Sequence, residues 1–190
     1  MEPTREYRNI ALTGFMGAGK STVGHLLAEI LGFEFVDTDR LIEQRQNRRI
    51  TDIFEKEGEP FFRRLESEVC RELEGVSDRV IATGGGLAVD PSNLDSLRRH
   101  ALVVCLWASP ETLYERVRHQ GHRPLLQDPD PLGRIRELLA ARTHAYRQAD
   151  ILVGVDFRAP LDTARQIASG FRRARNPGTS DRPGRTPRPT

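Results

Sequence analysis

The stretch Gly14-Phe-Met-Gly-Ala-Gly-Lys-Ser-Thr22 places three glycines, a lysine and two hydroxyls within nine residues. Gly14, four intervening residues and then Gly19-Lys20-Ser21 give the spacing of a phosphate-binding loop, provided that a strand precedes it and a helix follows. In such a loop the glycine-rich backbone turns its N–H groups onto phosphate oxygens, and the helix adds the positive end of its dipole. Lys20 would bring a point charge to the transferred phosphate and Ser21 a hydroxyl to Mg2+, with Gly17, Ala18 and Thr22 completing the lining. Lys56 is the only other lysine, every remaining basic side chain apart from histidine being arginine. The motif leaves open which nucleotide binds and what accepts the phosphoryl group.

Acceptor chemistry points to carboxylates and guanidinium groups. Asp37 and Asp39, two apart in "FVDTD" at the end of a second apolar run, are expected to aim to one side of a sheet. One could hold Mg2+ through water while the other orients or deprotonates a hydroxyl, or both could cap the helix that follows. Arg63 in "GEPFFRRLE" lies one turn before Glu66 and reads equally as an i,i+3 surface pair. Gly84, Gly85 and Gly86 end another apolar run, as a second set of exposed N–H groups or as a plain turn. Arg116, Arg123 and Arg142 add forked donors suited to phosphate or carboxylate. The five histidines show no ligand spacing, and His122 and His144 read as surface residues.

The elements that must carry these residues alternate in type. Strands are predicted in "RNIALTG", "FEFVDTD", "RVIATGGG", "ALVVCLWAS" and "DILVGV". Helices are predicted in "STVGHLLAEILG", "RLIEQRQNR", "TDIFEKEG" with Thr51 as a possible cap, "EPFFRRLESEVCRELEGV", "PSNLDSLRRH", "PETLYERVRHQ", "RIRELLAARTHAYRQA" and from Pro160 to about Arg173. Fully apolar strands between helices imply an α/β fold whose parallel sheet is covered on both faces. "GHRPLLQDPDPLG" is a long loop of the kind that forms lids, and residues 174–190 read as a disordered basic tail.

Composition bounds the rest. The chain has 190 residues, 37% hydrophobic and 29% charged, with a formal charge of +2; this suits one globular domain. Six arginines against Asp181 follow Phe171, so the remainder is net acidic and offers no broad basic face for nucleic acid. No apolar run reaches the length of a membrane span. Cys70 and Cys105 read as reduced core residues, and the protein is expected to be cytoplasmic.

"GFMGAGKST", "FVDTD", "GEPFFRRLE", "VIATGGG", "RPLL" and "RTHAY", in this order and from about Asn9 to Phe171, resemble shikimate kinase. The resemblance implies a three-layer α/β/α P-loop kinase with a five-stranded parallel sheet. It also implies a domain over residues 1–173, a shikimate-binding region at about 42–73 and a lid at about 121–133. The implied reaction moves the γ-phosphoryl group of ATP to the 3-hydroxyl of shikimate, in a monomer that uses Mg2+. Carried over residue by residue, Ser21 is similar to the direct Mg2+ ligand and Asp37 to its partner through water. Asp39 resembles the aspartate that holds the hydroxyls and assists proton removal, and Arg63 and Arg142 the pair that clamps the carboxylate. Gly84, Gly85 and Gly86 resemble the backbone at the hydroxyls, and Phe54 and Phe62 the apolar walls. Arg123 resembles the lid arginine on the transferred phosphate, and Arg116 the one that stacks on adenine. The chain departs from the family pattern at Thr143-His144-Ala145 and after the glycine triplet. A gluconate or nucleotide kinase of the same fold and a regulatory nucleotide-binding module are the rival readings.

Overall fold

Five runs of mostly apolar residues, β1 (Asn9–Thr13), β2 (Glu34–Asp37), β3 (Arg79–Ala82), β4 (Ala101–Trp107) and β5 (Ile151–Gly154), pair in parallel in the order β2-β3-β1-β4-β5. The computed structural model describes residues 5–119 and 128–176. Side chains alternate across the sheet as a period of two demands. Ile10, Leu12, Leu102 and Val104 enter one core cluster, while Ala11 and Val103 enter a second on the other face. With both faces covered, the strands carry almost no exposed polar positions.

Helices α1 (Lys20–Leu31) and α7 (Pro160–Arg175) bring Leu27, Ile167 and Phe171 onto the first face, with α5 (Pro110–Val117) and α6 (Pro131–Tyr146) beside them. Helix α4 (Pro91–His100) covers the second with Leu94 and Leu97. A third cluster, Ile42, Ile53, Phe62, Leu65, Val69 and Ile81, lies between α2 (Thr38–Gln46), α3 (Ile50–Glu72) and β3. Among the described residues no helix is long and apolar enough to cross a membrane. Cys70 and Cys105 are buried and free, as expected of reduced thiols.

Several boundaries differ from the sequence reading. The two helices expected in "TDIFEKEG" and "EPFFRRLE" run together as α3, broken at Gly58, whose φ of 78° departs from helical geometry and suits glycine. Thr51 is no cap, since α3 begins at Ile50 and the Glu43 Oε1 carboxylate oxygen accepts its first N–H at 3.0 Å. Helix α6 begins at Pro131, inside the span assigned to the lid, because Pro131 suits a first helical turn and Asp130 caps it. Helix α7 continues to Arg175, two residues past its expected end.

At the edge of the sheet away from the glycine loops, Asn9 Oδ1 accepts the Arg79 N–H, and Asn9 Nδ2 lies 2.8 Å from Val76 O and 2.9 Å from His100 Nδ1. The amide orientation makes His100 Nδ1 an acceptor and leaves the proton on Nε2, which is buried without a partner. Burial lowers the His100 pKa to about 4.

Candidate active site

Strand β1 delivers the chain into the phosphate-loop sequence at Gly14. A Cβ on Gly14 would lie 2.4 Å from Leu106 O at a φ of 128°, so only glycine fits the crossing. Helix α1 then starts at Lys20 with no side-chain cap and no acid in its first turn. The first N–H groups of a helix have no partner within it and suit an anion; Asp37, Asp90, Ser109 and Asp130, by contrast, cap α2, α4, α5 and α6. Lys20 Nζ donates to Gly14 O at 2.8 Å and Phe15 O at 3.0 Å. Ser21 Oγ donates to Asp37 Oδ2 at 3.0 Å, while Asp37 Oδ1 accepts the N–H groups of Asp39 and Arg40. The capping reading therefore holds for Asp37 through one oxygen, while the other meets Ser21.

A cleft of about 600 Å³ runs from Met16–Val23 past Asp37 and Asp39 on one side and to Arg116, Val155 and Pro160 on the other. Arg116 is tied to the cleft's lining, with Nη2 donating to Val155 O at 2.7 Å and Nη1 to Gly17 O at 3.4 Å. Asp39 reaches the cleft by a different route from the one expected. Strand β2 ends at Asp37, and Asp39 occupies the first turn of α2, so the helical turn and not the strand period aims it inward.

Beyond β3, Gly84 donates its N–H to Thr38 Oγ1 at 3.0 Å, which fixes the triplet against α2. A Cβ on Gly84 would lie 2.5 Å from Asp39 Oδ1 and 2.9 Å from Glu66 Oε1; one on Gly86 would lie 2.5 Å from Arg63 Nη1. Carboxylates thus press on Gly84 and a guanidinium on Gly86, which leaves no room for a side chain at either. Arg63 Nη1 donates to Glu66 Oε2 at 2.6 Å. Glu66 is 1% exposed, which corrects the surface-pair reading: α3 turns this face under Gly84.

Asp39 Oδ1 and Glu66 Oε1 are both buried without a hydrogen-bond donor. Such orphaned acceptors are costly unless a ligand supplies donors. Burial first, and then the neighbouring Asp37 charge, raises the Asp39 pKa to about 6. Burial likewise raises that of Glu66, against the pull of Arg63.

Arg142 Nη1 donates to Gly85 O at 3.3 Å, and its guanidinium lies 5.4 Å from the Phe15 ring centre. Tyr146 is buried beneath and donates its hydroxyl to the same carbonyl at 2.8 Å. The departure at Thr143-His144-Ala145 thus leaves Arg142 and Tyr146 converging on Gly85. Phe62 is buried, and its ring centre lies 4.9 Å from that of the exposed Phe54 with the planes tilted by 41°.

The two halves meet at Gly85, where a Cβ would be 3.7 Å from Met16 N and 3.9 Å from Gly14 O. The fold therefore brings Lys20, Ser21, Asp37, Asp39, Arg63, Arg142 and the triplet to one sheet edge, with Arg116 at the far end. Arg123, assigned to the lid, lies outside the described residues. Glu66, Tyr146 and Thr38 are the site residues that sequence reasoning missed. Their signal was faint: a buried Glu at i+3 from an arginine looks like any surface pair.

A family model described as shikimate kinase matches residues 16–171. The shikimate kinase of Symbiobacterium thermophilum is 51% identical over 162 residues, which cover 84% of this chain and 93% of that protein. That of Thermus thermophilus is 47% identical over 168 residues, covering 88% and 91%. Among solved structures, shikimate kinase from Acinetobacter baumannii in complex with shikimate matches with a TM-score of 0.82 at 40% identity, over 87% of this chain and 93% of that one.

Proposed function

The chain belongs to the shikimate kinase family, and from that premise we propose how its residues divide the transfer of the γ-phosphoryl group of ATP to the 3-hydroxyl of shikimate. The enzyme is an ATP-dependent phosphotransferase that yields shikimate 3-phosphate and ADP. Such transfer asks the protein for positioning and charge stabilisation more than for covalent chemistry.

On the nucleotide side, the uncapped start of α1 and the backbone of Gly14, Gly17, Ala18, Gly19 and Thr22 cradle the phosphates. Lys20 leaves the carbonyls of Gly14 and Phe15 to meet the transferred group, and the resemblance assigns Arg123 to the same group. Arg116 presents its guanidinium plane to adenine. Ser21 Oγ and Asp37 Oδ2, hard oxygen donors 3.0 Å apart at the cleft, suit Mg2+. Bound with ATP, that ion would supply neutralisation of phosphate charge. Among the described residues no cluster of three His, Cys, Asp or Glu side chains could hold a metal ion.

On the acceptor side, Asp39 holds the attacked hydroxyl in line and takes its proton, while Arg63 and Arg142 receive the carboxylate. Gly84, Gly85 and Gly86 bring backbone close to the ring hydroxyls, with Phe54 and Phe62 as apolar walls. The observation that carries this reading is the pair of orphaned oxygens, Asp39 Oδ1 and Glu66 Oε1, facing Gly84 beside two guanidinium groups. Such a pocket calls for a small acid bearing adjacent hydroxyls. The same reading makes the protein a cytoplasmic monomer of residues 1–173 with a basic tail, acting on neither nucleic acid nor membrane. Its free buried cysteines suit a reducing compartment. ADP release with ATP and, in parallel, shikimate, gluconate or a nucleoside monophosphate tests the assignment. Turnover is expected with shikimate alone, and preference for either other acceptor would overturn it.

A further inference from the structure

Two carboxylates of opposite character hold Arg63. Glu66 is 1% exposed and binds Nη1. Glu59 is 61% exposed and spends a single oxygen, Oε1, on Nε at 3.1 Å and Nη2 at 2.7 Å. Nε and Nη2 form one edge of the guanidinium, the fork that takes a carboxylate side-on. Among the described residues Glu59 has no other partner. The chain thus fills, from within, an edge of Arg63 with the same functional group that an acidic acceptor would bring.

We propose that Glu59 is a displaceable internal ligand, which occupies the Nε/Nη2 edge of Arg63 in the free enzyme and gives way to the carboxylate of the acceptor. The inference rests on the reading of Arg63 as the carboxylate clamp. Local structure makes Glu59 the partner that yields. It follows Gly58, where α3 breaks at φ 78° and ψ 174°, and precedes Pro60, so it heads the second helical half. Once released, its carboxylate faces water and lies by the positive end of that half-helix. Glu66 has no such outlet, because separation from Arg63 would leave a buried charge unpaired. Glu66 therefore fixes the guanidinium, and Glu59 sets how much binding free energy the acceptor gives up in taking it. Glu59 is a positioning residue that acts through Arg63.

Glu59→Gln keeps the shape and removes the charge. The KM for shikimate is expected to fall about two- to fivefold, the scale of an exposed ion pair, with kcat and the KM for ATP unmoved. Glu59→Asp, which keeps the charge but retracts it from Arg63, is expected to lower the KM in the same direction. An unchanged KM in both variants would make Glu59 an ordinary surface pair, and a raised KM would make it a support that Arg63 needs. Either result overturns the proposal. Wild-type turnover in the same assay separates the two readings. No turnover of shikimate overturns the acceptor assignment as well, whereas turnover with an unmoved KM overturns the role of Glu59 alone.

Discussion

Replacing Gly84 by alanine adds one methyl group at the point where the Asp39 and Glu66 carboxylates converge. The new Cβ would stand 2.5 Å from Asp39 Oδ1 and 2.9 Å from Glu66 Oε1, where ordinary contact begins at 3.4 Å. Asp39 Oδ1 must then retreat by about 0.9 Å and Glu66 Oε1 by about 0.5 Å, and a displacement of about 1 Å at a reacting group costs about 10²-fold. Gly84 has no left-handed φ, so alanine fits its backbone and the fold is kept. We expect kcat/KM for shikimate to fall by about 10²-fold in a coupled ADP-release assay while the KM for ATP stays within about twofold, because the nucleotide half of the cleft is untouched. Gly85→Ala provides the comparison. Its Cβ meets Arg142 Nη1, Met16 N and Gly14 O at 3.7–3.9 Å, which is ordinary contact, so its effect must be the smaller of the two. Wild-type kinetics in Gly84→Ala, or a larger loss in Gly85→Ala, would refute the placement of Asp39 and Glu66 around the acceptor.

Two pH-dependent outcomes follow from buried groups. Asp39 titrates at about 6 because burial disfavours its charge; titrations of the nucleotide-free enzyme should therefore show shikimate affinity falling about tenfold per pH unit below 6, and equal affinity at pH 7.5 and 5 would contradict an ionised Asp39 as hydroxyl acceptor. His100, with its folded pKa lowered to about 4 from 6.5, favours the folded state in full above pH 6.5 and loses about 3 kcal/mol as pH falls through 4, since only the unfolded chain takes up the proton between those values. Denaturant melts of wild type and His100→Gln should converge by that amount across the window, and a pH-independent difference would show that the imidazole is not held neutral.

How legible all this was in the sequence depended on whether local pattern or tertiary placement decided the outcome. The phosphate loop was legible because strand, glycine spacing and amphipathic helix all act within about 20 residues, and α1 ends at Gly32 in the left-handed cap its sequence signals. The parallel sheet followed from strands with no polar face. The orientation of Asp39 did not follow, because the residue at which β2 yields to α2 is set by the cap that Asp37 makes, and a period of two no longer applies past it. Glu66 was opaque for another reason. An Arg-x-x-Glu spacing is the same on a solvated face and on one rolled under a glycine triplet, and only the packing of α3 against β3 distinguishes them. Tyr146 and Thr38 likewise act through backbone of the triplet, a partner no spacing in the sequence announces.

If two separate anion cradles face one another across a single cleft, a crossed pair of binding titrations will tell them apart. Lys20→Ala should lose turnover while still binding shikimate, and Arg63→Ala should weaken shikimate by about 1.5–3 kcal/mol, the worth of hydrogen bonds to a charged group, with a smaller effect on ATP. Equal losses of both ligands in both variants would contradict it.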